Sequence, residues 1–448
     1  VKIISLPVKK CYHTVVVKYN GQYYIAVPNL NLDEYESPSL HLKREMPGNI
    51  RKGLIMKIAF RNKSQNSILA ILLMLILGLS FTENCSAAAR NEVKIPDIPG
   101  YRTLKCDFHM HTIFSDGQVW PTVRVEEAWR EGLDAFAITD HFEYKPYKGD
   151  VRSDNNRAYE IAKPAADEKG LIIIKGAEIT KNMPPGHFNA IFLKDPKPLD
   201  SNDWRVALKN AKEQGAFVTW NHPGWTGQQP DGVPRWYPDH NEIYENGWMQ
   251  GIEVVNENEY YPLVFKWAKE KKLTVMGNSD VHEPTSMFFD FSKGEHRPMT
   301  LVFAKECTED SIKEAMLAHR TAVYYKNSII GDEQYLRPIF DKSVQTPNTE
   351  VTIKGKGKAF IRIRNNSQLD IELVANGSPE HITAPDKITL NGDRTVLLAI
   401  GGKEKTRSGT EKIRIPYKVK NLLVGPDDGL RVELEIGVRF VADEPNKP

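Results

Sequence analysis

Leu104-Lys105-Cys106-Asp107-Phe108-His109-Met110-His111-Thr112-Ile113-Phe114-Ser115-Asp116-Gly117 is the stretch from which the architecture is read. Leu104 to His109 has the composition of a short strand, and His109 and His111, two apart on extended backbone, project to the same side. Outward from it, between Thr103 and Tyr325, short runs rich in Val, Ile and Phe alternate with polar segments of helical spacing. The expected strands are Leu104 to His109, Ala135 to Thr139, Leu171 to Ile174, Phe188 to Leu193, Ala216 to Trp220, Gly251 to Val255, Leu273 to Met276 and Thr300 to Phe303. The expected helices are Thr122 to Glu131, Asn155 to Lys169, Trp204 to Gln214, Pro262 to Lys271 and Ser311 to Arg320. Alternation of this kind argues for βα units around a parallel sheet, and seven or eight of them closing on themselves give an α/β fold of TIM-like barrel type.

Beyond about Pro338 the helical period stops. Glu350 to Ile353, Ala359 to Arg364, Asp370 to Val374, Val396 to Ile400, Lys412 to Val419 and Leu430 to Val441 read as strands, punctuated by Asn376-Gly377, Asn391-Gly392, Gly401-Gly402 and Asp428-Gly429. Residues 341–448 are therefore expected to form a small all-β sandwich after a catalytic unit over residues 90–340.

Near the other end, Lys57, Arg61 and Lys63 precede the apolar run Ile68 to Leu79, and Cys85-Ser86-Ala87-Ala88-Ala89 follows it. That order is the order of a secretory signal peptide, cleaved near Ala87 to Ala89. The apolar run is shorter than the roughly 20 residues that span a bilayer, so a cleaved leader is favoured over a permanent anchor. A lipoprotein reading centred on Cys85 is weaker, because Phe81 to Asn84 lack the small residues that precede a lipidated cysteine. Met56 directly precedes Lys57, so residues 56–89 are read as the leader, residues 1–55 as an upstream translation artefact, and the periplasm as the destination.

Composition narrows the classes. With 448 residues, 40% hydrophobic and 26% charged, the chain is globular and large enough for two or three units. Lys plus Arg is 60 against 58 for Asp plus Glu, which leaves no net field to hold a polyanion and argues against nucleic acid as an obligate partner. Four cysteines, none within four residues of another, build neither a disulfide scaffold nor a thiolate zinc site.

The position of histidine carries the functional reading. His109, His111, His141, His187, His222 and His282 fall at or just beyond the ends of expected strands, joined by Asp116, Glu178 and Asp280. In a barrel the loops at the C-terminal ends of the strands converge on one mouth, so these distant residues can meet. Asp280-Val281-His282 repeats the two-residue device of His109-Met110-His111. His240, His296, His319 and His381 fit no such position, and His319 reads as a packing or surface residue on a helical face.

Together, His109-Met110-His111 with Asp116-Gly117, Ile138-Thr139-Asp140-His141, Gly176-Ala177-Glu178, Asn221-His222-Pro223-Gly224 and Ser279-Asp280-Val281-His282 resemble the PHP superfamily, the polymerase and histidinol phosphatase type. The resemblance runs from about residue 103 to 325 and implies a distorted seven-stranded (β/α)7 barrel holding two to three divalent metal ions. It would place His109, His111, Glu178 and Asp280 on one ion, Glu178, His187 and His222 on a second, and Asp116, His141 and His282 on a third.

A mixed imidazole and carboxylate set suits Zn, Mn or Fe. Ions a few Å apart can lower the pKa of a shared water, and the expected chemistry is hydrolysis of a phosphodiester or phosphomonoester by a metal-bridged hydroxide, with Glu178 and Asp280 as catalytic carboxylates. Arg297 is the preferred phosphate clamp and Lys181 the second choice. Trp225, Trp236 and Tyr237 either stack on an organic substituent or pack their own loop. Export and the appended domain look like the secreted phosphodiesterase branch, with a small-molecule phosphoester as partner and no obligate nucleic acid. Two other classes compete: an amidohydrolase-type C–N or lactone hydrolase, against which Glu178 stands where a modified lysine would bridge, and a non-catalytic glycan-binding surface protein, for which residues 345–440 offer no exposed aromatic cluster. The C-terminal domain braces the barrel or makes a homo-oligomer.

Overall fold

A computed structural model describes residues 2–4, 15–19, 22–28, 53–58, 90–152, 154–347 and 350–444. The first of two units is a four-stranded antiparallel sheet of β1 (Lys2–Ile4), β2 (Val15–Tyr19), β3 (Gln22–Pro28) and β4 (Gly53–Ile58). The β4 strand runs through Met56 and Lys57, and the remainder of the expected leader, residues 59–89, lies outside the described residues. Among the described residues no helix is long and apolar enough to cross a membrane.

The second unit carries the histidines. Its central path runs β5 (Arg102–Asp107), β6 (Ala135–Ile138), β7 (Ile172–Ile179), β8 (Phe188–Ile191), β9 (Phe217–Trp220) and β10 (Gly251–Asn256). The short β11 (Glu259–Tyr260) and then β12 (Thr274–Asn278) both pair with β10, while β13 (Met299–Ala304), β14 (Thr321–Tyr325) and β15 (Ser328–Gly331) extend the sheet beyond β5. The sheet is mixed rather than wholly parallel. β8 is antiparallel to both β7 and β9, and β13 is antiparallel to β5. The reason for β8 is local: residues 180–187 between β7 and β8 contain no helix, and a parallel crossover needs a dozen or more residues.

The sheet curls. Leu104, Cys106, Ala135, Ala137, Ile174, Ile191, Phe217, Met276 and Val302, drawn from strands at both ends and the middle of the path, pack in one buried cluster. β12 and β13 meet through a side chain: Thr300 Oγ1 accepts from Gly277 N at 3.0 Å and donates to Gly277 O at 2.9 Å. Gly277 also lets β14 come close, since a Cβ there would lie 2.2 Å from Val323 Cγ1. Helices Pro121–Arg130, Arg157–Glu168, Trp204–Glu213 and Pro262–Lys271 fall within two residues of their expected bounds, whereas Glu309–Leu317 starts and ends earlier than the expected Ser311 to Arg320. His319 lies beyond the last of these helices, at φ 57° with its Nδ1 2.9 Å from Thr274 Oγ1, rather than on a helical face.

The helix Glu333–Ser343 carries the chain out of this region and contains Pro338, so the boundary expected near that residue falls inside a helix. Two layers follow. One is β17 (Glu350–Lys354), β24 (Gly429–Val441), β23 (Gly409–Leu423), β19 (Ile371–Ala375) and β21 (Lys387–Leu390); the other is β16 (Val344–Gln345), β18 (Lys358–Asn365), β22 (Thr395–Gly402) and β20 (Ile382–Thr383). Ile361, Ile363, Leu398 and Ile400 of one layer and Leu373, Ile413, Ile415 and Ile436 of the other bury against a common core, as period-two alternation requires. β23 pairs with β15, so the sandwich continues the sheet of the preceding region.

Candidate metal centre

The strand β5 ends at Asp107, so His109 and His111 lie past the end of the strand expected to contain His109. Backbone pairing continues beyond the strand ends: Asp280 N donates to His109 O at 2.8 Å and His111 N to Val281 O at 3.0 Å. This lays His109-Met110-His111 beside Asp280-Val281-His282, and a bridge between His141 and Glu178 adds the next two ligands. His187 stands at the start of a strand because β8 runs the opposite way, which turns its N-terminal end to the same mouth. Gly117 closes the loop that carries Asp116, where a Cβ would sit 2.5 Å from the backbone of His111. Two ligands hold left-handed backbone, His222 at φ 28° and Asp280 at φ 51°, the kind of strain that surrounding bonds must sustain.

All nine expected ligands meet. Four sets of donor atoms lie close enough to share an ion: His109, His111 and Glu178; His109, His222 and Asp280; Glu178, His187 and His222; and His111, Asp116, His141 and His282. The second expected set appears unchanged, the third gains His111, and the first is divided between two overlapping groups.

Glu178 sits at the junction. Its Oε1 is 3.0 Å from His187 Nδ1 and 3.7 Å from His222 Nε2, whereas its Oε2 is 3.5 Å from His109 Nε2 and 3.4 Å from His111 Nε2. One carboxylate oxygen thus serves each side.

The donor set fits divalent ions. Asp280 Oδ1 lies 3.0 Å from both His109 Nε2 and His111 Nε2, yet all three atoms are buried without a hydrogen-bond partner, as are Asp116 Oδ1, Glu178 Oε2 and His187 Nδ1. Unaligned donors about 3.0–3.4 Å apart are what two ligands of one ion with bonds of about 2.0–2.1 Å would show. Outer groups set the rings: His109 Nδ1 pairs with Glu253 Oε1 at 2.9 Å, His141 Nδ1 with Thr180 Oγ1 at 2.6 Å and His282 Nδ1 with Asp280 O at 2.8 Å. Each leaves Nε2 for the cluster.

The electrostatics follow from burial against mutual attraction. Burial, then His282 and His141, push the His111 imidazole down to about 3, which keeps it in its neutral, ligating form. Burial alone would raise the Glu178 carboxyl, but His141, His109 and His187 outweigh it and hold it well below the usual range.

Arg297, expected to clamp phosphate, does something else. Its guanidinium is fully buried, with Nε donating to Glu131 at 2.7 Å and Nη1 to Asp107 at 3.0 Å. Asp107 in turn accepts from Ser279 N at 3.1 Å, so the arginine braces the turn ahead of Asp280 and has no face free for a substrate. Lys181 is engaged by Glu143 and donates to Ser201 O at 2.6 Å. Trp225 is 45% exposed, with its ring 5.2 Å from that of His222 and 5.7 Å from that of His187. Trp236 packs against Trp220 and Trp267, and Tyr237 bonds to Gln229, so those two hold the loop together.

Glu253 was not singled out in the sequence. Fully buried on β10, it accepts from His109 Nδ1, from His222 N at 2.8 Å, from Asn256 Nδ2 at 2.9 Å and from Asn278 Nδ2 at 3.0 Å. Its signal was a lone acid within the apolar run Gly251 to Val255.

A cavity of about 470 Å³ opens on Asp116 and His282. A second cavity, about 140 Å³ between Pro379, Ile382 and Tyr417 in the C-terminal region, is lined by no histidine, so the chemistry belongs to the first.

Comparison with known proteins agrees with this geometry. Residues 107–215 match the PHP domain family and residues 344–435 a family described as an Ig-like domain. Among curated proteins, an uncharacterized protein of Methanocaldococcus jannaschii is 37% identical over 82 residues, 18% of this chain and 36% of its own length. A 5'-3' exoribonuclease of Haemophilus influenzae is 34% identical over 80 residues, 18% of this chain and 25% of its own. This chain thus spans about a third or less of the curated relatives it matches. The crystal structure of a two-domain protein from Bacteroides vulgatus, described as containing a predicted PHP-like metal-dependent phosphoesterase, is 44% identical, with a TM-score of 0.74 over 78% of this chain and 99% of that one. Identity at that level, across nearly the whole of that two-domain structure, means that the chain belongs to the PHP-like metal-dependent phosphoesterases.

Proposed function

We propose that this chain is an exported hydrolase that cleaves phosphodiesters or phosphomonoesters bearing an organic group, using two to three divalent ions of the Zn, Mn or Fe type. The observation that carries the reading is Glu178, whose two oxygens address separate ligand groups and so can hold two ions at a fixed spacing. When bound, such ions supply Lewis acidity toward a phosphoryl oxygen and lower the pKa of water. The chain's own residues do the rest: Glu178 and Asp280 set the positions, Glu253, Thr180 and the Asp280 carbonyl fix the imidazoles, and Trp225 screens the His187–His222 side from solvent. The curled sheet is read as a distorted barrel whose last junction is sealed by Thr300 rather than by a ladder. Export rests on the order of residues from Lys57 to Ala89.

The test is a metal-resolved activity screen of the purified chain against aryl phosphodiesters and phosphomonoesters. Activity with Mn or Zn that disappears in Glu178→Ala and His222→Ala chains of unchanged fold supports the reading. Activity on amides or lactones with none on any phosphoester, metal being bound, refutes it.

A further inference from the structure

The cavity beside the metal centre has a chemical character of its own. Its lining joins the ligands Asp116 and His282 to Tyr144, Pro146, Tyr147 and Phe288 and to two further carboxylates, Glu257 and Glu283; no lysine or arginine lines it. Tyr144 is 55% exposed and meets the His141 ring edge-on at 6.2 Å, so it is a wall waiting for a face to stack on. Of the nearby cations, Lys181 is held by Glu143, Arg235 by Asp231, and Lys145 by Asn155 at 2.5 Å. Arg297 is buried in its own ion pairs.

Resting on the phosphoesterase reading, we propose that this cavity is a substituent subsite that accepts a flat aromatic group, neutral or cationic, attached to the phosphoryl centre, and rejects groups carrying further negative charge. The ions would attract the phosphoryl oxygens whatever the substituent, so discrimination has to come from what lies beyond them. Aromatic walls supply stacking and apolar area. Carboxylates within a few Å of the substituent, in a site partly shielded from water, repel a second anion and attract a cation. Polyphosphorylated and carboxylated esters are then poor ligands, and singly charged aryl diesters are good ones.

The experiment titrates phenylphosphonate, 4-carboxyphenylphosphonate and 4-(trimethylammonio)phenylphosphonate into the Mn-loaded chain by calorimetry at pH 8.5. The 4-carboxy probe is expected to bind about tenfold more weakly than the parent and the ammonium probe at least as tightly. In a Glu257→Gln/Glu283→Gln chain this spread should shrink to within about threefold, and Tyr144→Ala should weaken phenylphosphonate relative to methylphosphonate. Equal binding of all three probes, no binding of any, or a spread unchanged in the double variant overturns the subsite. Hydrolysis of aryl phosphodiesters and phosphomonoesters by the same preparation separates the two ideas. The charge order with activity on amides or lactones and on no phosphoester keeps the subsite and removes the phosphoesterase reading; phosphoester hydrolysis without the charge order does the reverse.

Discussion

Replacing Glu253 by Gln changes one oxygen of a fully buried carboxylate that accepts four hydrogen bonds. If the new NH2 takes the Oε1 position, it faces His109 Nδ1 and Asn278 Nδ2, and His109 can answer only by moving its proton to Nε2, the atom aimed at the cluster. If it takes the Oε2 position, the His222 amide and Asn256 Nδ2 lose their acceptor, and the left-handed backbone at His222 loses a bond that sustains it. Either way at least one buried donor is left unpaired, at about 1–3 kcal/mol each, so the metal-free chain should lose on the order of 2–4 kcal/mol. Misorienting a ligand through its outer partner costs a further 10–100-fold, roughly, in metal affinity. The assay is competition against a chelating dye, read beside urea unfolding with and without metal. A carboxylate that merely filled space would lower stability and leave the affinity of folded protein unchanged. Affinity within about twofold of the parent chain, with the fold intact, would refute the reasoning.

Arg297→Met should destabilise the chain by about 3–5 kcal/mol, because Asp107 and Glu131 would be left buried without their partner; KM of the protein that remains folded should not change, and denaturation together with steady-state kinetics checks both. His240 accepts from Tyr237 N at 3.0 Å and pairs through Nε2 with Pro185 O, and burial holds it down to about 4. A histidine depressed in the fold is fully stabilising above its unfolded value of about 6.5, and the benefit is lost as pH falls toward 4. Unfolding free energies at pH 7 and 4.5 should therefore differ by about 2.5 kcal/mol less in His240→Gln than in the parent chain. Thr300→Val leaves the Gly277 amide without its acceptor and should cost about 1–3 kcal/mol, seen as a lower urea midpoint, with faster amide exchange across β12 and β13.

The ligands were legible because they are spaced by local rules: two residues apart after a strand, or one per strand end, wherever the barrel brings those ends. What the sequence hid depended on partners far along the chain. Arg297 reads as a phosphate clamp until Glu131, 166 positions away, is seen to take its Nε and Nη2. Glu253 looked like one acid in an apolar strand, and only the fold places two ligands around it. The reversal of β8 was recoverable from the short helix-free link before it, and it explains why His187 precedes a strand when its companions follow theirs. The sandwich was visible from alternation and turns, but its start was not: Pro338 reads as a breaker, yet Tyr335, Leu336, Ile339 and Phe340 bury one face of a helix that runs through it.

The central claim is that the nine ligands hold more than one ion and that the chemistry needs them together. Metal can be stripped from the chain and restored in steps, with bound ions counted and phosphodiester hydrolysis followed in the same samples. The account predicts that hydrolysis stays near background through the first equivalent and rises with the second, as both sides of Glu178 fill. Full activity with one ion or none bound per chain would contradict it.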